Sequence, residues 1–278
     1  MKTWLRRGAA GWRIDVADEI PDDVLSLMRY EVKKEKADAP IIGEVWEDAV
    51  TKYGPEGARN YALGYSLDSV MNYPLRWAVL DFLHFKKNAY ELCDFLISQK
   101  MNYPKPLYEC LMNLLSSHDV DRIKTALSTD ITIRALSRED QLKLEFTEDD
   151  CALSVKKEKL AVAIQFAIPG VPCIYYGDEQ GMEGLCDPFN RRPFKEGDEE
   201  IFKIYKKAAN LRKNNKALNS GDSDFKALSD DVLAIIRSSG KEKCAAIINR
   251  GGCDYDYDIK GIGKGEVKAL DAKFIEVN

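Results

Sequence analysis

The sequence predicts an α/β chain in which parallel strands joined by crossover helices occupy the N-terminal three quarters, with a small antiparallel β unit after them. Three observations predict this. Short apolar runs alternate with segments of helical period as far as Asn214. Each apolar run ends in polar residues. Beyond Asn214 the helical period gives way to short strand-like runs divided by turn residues.

In chain order, the first strand is read over Gly11 to Val16 (GWRIDV) and the second over Pro40 to Val45 (PIIGEV). Between them, Val24, Leu27, Met28 and Val32 recur at steps of three or four beside a Lys- and Glu-rich face, which predicts an amphipathic helix over Pro21 to Ala37. Pro21 suits its first turn, and Pro40 lies beyond its end. Leu67 to Asn72, Leu111 to Ser117 and Val171 to Gly177 are the third, fourth and fifth strands. Helical spacing fits Leu75 to Phe85, Tyr90 to Ile97, Glu158 to Ala167 and Glu199 to Lys213, and right-handed crossovers follow. Arg138 to Lys157, rich in charge, is expected to be a surface insertion with helical parts. After Asn214, strands are expected at Phe225 to Leu228, Val232 to Arg237, Lys243 to Ile248, Val267 to Leu270 and Phe274 to Val277.

Composition narrows the function. The chain has 45% apolar and 31% charged residues and a formal charge of −5, with basic and acidic groups interspersed. That balance argues against nucleic-acid and membrane partners and suits a neutral substrate. No apolar stretch reaches the length of about 18 residues that a membrane helix needs, and the N-terminal segment has no secretory apolar core, so a soluble cytoplasmic protein is expected. Seven widely spaced cysteines without a C-x-x-C pair predict reduced thiols and no metal site.

The strand ends carry the chemistry. Asp15, Glu44, Asn72, the pair His118 and Asp119, and the pair Asp178 and Glu179 end the five runs. Residues leaving the C-terminal ends of parallel strands build the sites of such folds. Retaining glycosidases need a carboxylate nucleophile and a carboxylic acid about 5 to 5.5 Å apart. Neighbouring strands lie about 4.7 to 4.9 Å apart, so Asp15 and Glu44 meet this need if their strands are adjacent. Arg13 and Asp15 share one side of a strand, and the guanidinium favours the ionised carboxylate. Glu44 follows Pro-Ile-Ile-Gly, and apolar crowding is expected to raise its pKa, as a proton donor requires. Each residue taken singly also fits a structural role, Arg13 and Asp15 as a buried ion pair and Glu44 as a strand-end cap. Trp46 offers an aromatic face to a sugar ring, or else packs at the strand end. His84, within WAVLDFLHF, is expected to be a packing residue.

Together GWRIDVADE, IIGEVWEDA, DSVMNYP, LLSSHDVDR and CIYYGDEQGM resemble, in order and spacing, the strand-end motifs of the α-amylase family of glycoside hydrolases, most of all its cyclomaltodextrinase and neopullulanase branch. The resemblance implies a partial (β/α)8 TIM barrel, strands four to eight, over residues 1–215, followed by an antiparallel β-sandwich domain over 216–278. It makes Asp15 the nucleophile, Glu44 the general acid/base and Asp119 the third carboxylate, which binds hydroxyls and helps distort the ring. Arg13 and His118 would contact hydroxyls, with Arg13 also keeping the nucleophile charged. Trp46, Asn72, Tyr73 and Arg122 are further candidates for substrate contact, as are Asp187 and Arg191 in the loop after the last strand. The implied activity is hydrolysis of α-1,4 bonds in maltooligosaccharides, cyclodextrins or related α-glucans through a covalent glycosyl intermediate on Asp15. Transglycosylation, or carbohydrate binding by a catalytically incompetent fragment, remains an alternative.

The resemblance also implies that three barrel strands precede Gly11 in the parent enzyme, together with a loop domain that often holds calcium; no other cofactor is implied. An open barrel exposes a strand edge, so the chain is expected to self-associate or to pair with the other part of the barrel.

Overall fold

The computed structural model describes residues 1–54 and 57–277. Five short strands, β1 (Trp12–Ile14), β2 (Ile41–Gly43), β3 (Ser69–Val70), β4 (Met112–Leu114) and β5 (Val171–Cys173), form a parallel arc. β1 pairs with β2 and β2 with β3, a bridge between Met71 and Met112 continues the arc, and β4 pairs with β5. Among the described residues the arc does not close, and β1 and β5 are its edges.

All five expected strands are present, but each is shorter than its apolar run. The polar ends leave the ladder early to make loops, helped by backbone that turns out of the extended region at Val16 (φ 44°) and Gly177 (φ 85°). Glycine matters most at Gly43, where a Cβ would stand 2.4 Å from Leu67 Cδ1 and 3.2 Å from Ala17 Cβ. Only a residue without a side chain lets those two groups pack directly beneath the start of the Glu44 loop.

The principal helices are α1 (Asp22–Glu35), α2 (Tyr73–Leu83), α3 (Ala89–Asn102), α4 (Glu148–Ala167) and α5 (Glu199–Asn214). Two expectations are corrected here. The inward stripe of α1 runs through Leu25 and Val32, whereas Val24 and Leu27 are exposed, because the helical phase is set from the Leu25 side. The segment read as an insertion holds a short helix at Arg138–Gln141 and then the first half of α4. A reciprocal cap between Thr147 and Asp150 starts that helix, and Glu148 and Asp149 of its first turn face the solvent, whereas Lys157 and Glu158 are buried.

Six strands follow: β6 (Asp222–Ala227), β7 (Val232–Ser239), β8 (Glu242–Asn249), β9 (Tyr255–Ile259), β10 (Gly263–Val267) and β11 (Asp271–Val277). Four make an antiparallel sheet in the order β11-β8-β7-β6, and β9 and β10 form a separate hairpin. β9 was not anticipated, although its YDYDI alternation carries the period of two. The strand expected at Val267 to Leu270 is instead the end of β10 and a turn in which Leu270 takes φ 49°.

One face of the sheet (Leu233, Ile235, Ala246, Ile248) shares a core with α4 and with α2, α3 and α5. Its other face (Ala234, Ile236, Ala245, Ile247) packs on Tyr257, Ile259 and Val267 of the hairpin. The β unit is thus anchored to the helical layer through α4, whose Leu160 and Ile164 are fully buried. No helix among the described residues is long and apolar enough to cross a membrane. All seven cysteines are free thiols.

Candidate active site

Adjacency of β1 and β2, with Ile14 opposite Gly43, places Asp15 and Glu44 side by side just beyond the ladder. Arg13 joins them. Its Nη1 donates to Asp15 Oδ1, and its Nη2 lies 3.0 Å from Glu44 Oε1. The side chain of Asp15 is 75% exposed, while Glu44 is buried. The hydrogen bond from Arg13, then its charge, holds the Asp15 carboxyl below the usual carboxylate range, with smaller help from Glu44 and His118.

Val16 turns the chain so that its N–H donates to Glu44 Oε2 at 2.7 Å. A β-branched residue at φ 44° is strained, by roughly 1 to 3 kcal/mol, so this contact is bought at a local cost. Glu44 Oε2 therefore accepts an N–H and Oε1 lies in an ion pair, and its surroundings are polar where the sequence suggested apolar crowding.

From the end of β4, His118 Nε2 lies 3.1 Å from Asp119 Oδ2, and Ser117 Oγ accepts from the Asp119 N–H at 3.1 Å. Ser117 also bonds to Tyr73 Oη at 2.9 Å. Tyr73 is buried, which raises its pKa, and it lies in the fields of Asp119, Glu44 and Arg13 together. Arg13 and His118, the partners of Asp15 and Asp119, thus face one opening. A cavity of about 320 Å³ opens below it on the inner side of the arc, between Arg13, Met71, Met112, His118, Cys173 and Tyr175.

Several expected contact residues are placed otherwise. Asn72 is 2% exposed; its amide is spent on Gln99 and Asn113 and on capping α2 through the Leu75 N–H. Arg122 is fully buried between Tyr175 and Tyr176, 4.5 and 4.7 Å from their ring centroids, and donates to Tyr176 O, Asp178 Oδ1 and Asn190 O. Tyr73 is likewise fully covered. All three support the site from beneath and do not line its mouth, because the loops close over them.

Trp46 is stacked on Tyr73, with ring centroids 4.0 Å apart and planes 5° from parallel. The Arg134 guanidinium lies 4.3 Å from the indole centroid. A ring already in face contact leaves that guanidinium only the opposite face. Both faces of Trp46 are therefore covered, and a sugar cannot stack on it in this arrangement.

Asp187 and Arg191 lie against the His118 loop. They pair at 2.8 Å, and Arg191 Nε donates to His118 O at 3.2 Å. Sequence reading missed Asn190, a buried amide whose Nδ2 donates to Ser117 O and Val120 O and so clamps the loop of His118 and Asp119. It also missed Arg134; nothing in the local pattern links either residue to a partner so distant in sequence. His84 packs with its ring between Asp130 and the Ala126 carbonyl. No cluster of three or more His, Cys, Asp or Glu side chains among the described residues is arranged to hold a metal ion.

Residues 1–192 match the family model described as "Alpha amylase, catalytic domain". Among curated proteins, an amylopullulanase of Thermoanaerobacter thermohydrosulfuricus is 37% identical over 243 residues, covering 83% of this chain and 15% of the relative. A cyclomaltodextrinase of Geobacillus thermopakistaniensis is 36% identical over 256 residues, covering 89% of this chain and 38% of the relative. The chain thus spans well under half the length of either. Among solved structures, the ligand-free cyclic α-maltosyl-(1→6)-maltose hydrolase from Arthrobacter globiformis superposes with a TM-score of 0.83 at 24% identity, covering 99% of this chain and 57% of that one. That likeness speaks to the fold.

Proposed function

Because the chain belongs to the α-amylase family of glycoside hydrolases, we propose that Asp15, Glu44 and Asp119 are the catalytic carboxylates of a retaining hydrolase of α-1,4-linked maltooligosaccharides or cyclodextrins. The observation that carries the reading is the Arg13 bridge, which holds two carboxylates of unlike exposure together at adjacent strand ends. The names of two relatives, a cyclomaltodextrinase and a neopullulanase, support α-glucan as the substrate class.

Asp15, exposed and kept ionised by Arg13, attacks the anomeric carbon while the glycosidic oxygen leaves with a proton from Glu44. In the second half-reaction Glu44 takes a proton from water, or from a sugar hydroxyl in transglycosylation, as that oxygen displaces Asp15. In this reading Asp119 and His118 hold ring hydroxyls.

A second reading, sugar binding without turnover, is favoured by one observation: the Asp15 side chain is 75% exposed. Catalytic electrostatics weaken in open water. The test is hydrolysis of a nitrophenyl maltoside by the wild-type chain and by Glu44→Gln. The proposal expects release of nitrophenol that falls at least about a hundredfold in the variant. Equal rates would overturn it, and no release together with maltotriose binding would establish the second reading.

A further inference from the structure

A second cleft, of about 690 Å³, opens beside Glu44 and is lined by Val16, Asp18, Trp46, Lys52, Trp77 and Arg134. Glu44 serves the leaving-group oxygen, so the sugar unit on the leaving side of the scissile bond lies on the Glu44 side of the site. Trp46, two residues along the chain from Glu44, puts this cleft on that side.

Arg134 reaches the Trp46 face from the segment that follows β4. The guanidinium carbon lies over the indole, 4.3 Å from its centroid, as a cation does on a π face. Among the described residues its side chain makes no ion pair, so its N–H edge stays available to a ligand. The loop is held on its N-terminal side. Ile133 is buried at 2% exposure, and Asp130 is tied to His84 Nδ1 at 2.8 Å and to Lys86 through its carbonyl at 3.2 Å. An arginine so held presents several donors in a fixed plane, which suits the acceptor oxygens of neighbouring sugar hydroxyls.

We propose that Arg134, laid on Trp46, binds the hydroxyls of the sugar on the leaving-group side and so determines which acceptor that side retains. This rests on the assignment of Glu44 as the acid/base. The same sugar position is occupied by the acceptor when a glycosyl intermediate is resolved, so one residue governs both release and capture.

The test reads binding without turnover. The indole 15N–1H signal of Trp46, assigned with Trp46→Phe, is followed during maltose titration of the wild-type chain, Arg134→Ala, Arg134→Lys and Glu44→Gln. Expected are a saturating shift in the wild type and in Glu44→Gln, a dissociation constant raised about tenfold in Arg134→Ala, and partial recovery in Arg134→Lys. Unchanged affinity in Arg134→Ala, or a Trp46 signal insensitive to maltose in the wild type, would overturn the proposal. Failure of the nitrophenyl maltoside test with this titration intact would instead count against Glu44 and leave the Arg134 contact standing.

Discussion

Asp15 and Glu158 show how placement sets the chemistry of one functional group, the carboxyl. Asp15, bridged by Arg13 at the mouth, has its carboxyl pushed down. Glu158 is fully buried on α4, with Oε1 accepting from Tyr205 Oη at 3.1 Å and Oε2 meeting no donor. Burial, and then the charge of Asp178, push its carboxyl well above the usual range, and burial pushes Asp178 up to about 7 despite Ser116 and Arg122. Each has a folded pKa above its unfolded one. Its stabilising contribution is therefore full below the ordinary carboxylate range and is lost as pH rises through the folded value. Glu158→Gln cannot ionise, so its stability relative to wild type should climb between mildly acidic and mildly alkaline pH, by up to about 1.4 kcal/mol per pH unit. Thermal melting of both proteins across that range measures this, and parallel curves would contradict it.

At the scale of elements, α4 organises the molecule and its C-terminal end joins the two layers. The last carbonyls of a helix have no intrahelical partner. Here Arg212 of α5 donates to Phe166 O, Ile168 O and Gly170 O, and Arg237 of β7 donates to Ala167 O. Two buried guanidinium groups thus complement the negative end of the helix dipole and hold the turn that feeds β5. Arg212→Ala leaves several buried carbonyls without donors and should cost about 3 kcal/mol. A urea midpoint lowered accordingly at unchanged slope is the expected result, and a loss below about 1 kcal/mol would refute it. The charged first half of α4 lies in the segment expected to be a surface insertion with helical parts, because polar residues conceal the period; the cap at Thr147 and Asp150 is the signal that marks the helix start.

At the scale of the whole molecule, the parallel arc presents two edges, and Val171 and Ile174 beside the β5 edge are 54% and 39% exposed. Unpaired edge strands with apolar neighbours seek a partner. The chain should therefore associate with a second copy as its concentration rises, seen as a growing mass in light scattering, and a constant monomer mass would count against this. Much of this architecture is legible in the residues. Periods of two and of 3.6 mark the strands and helices, and the Arg13 and Asp15 pair follows from the i, i+2 rule. Tertiary structure decided what those local periods cannot encode: that Trp46 lies between Tyr73 and Arg134, that Arg122 and Asn72 are sealed beneath the loops, and that Asn190 clamps the loop of Asp119. The physical reason is that a backbone period determines which side of its own element a side chain takes, whereas what meets it there depends on loops brought from distant parts of the chain.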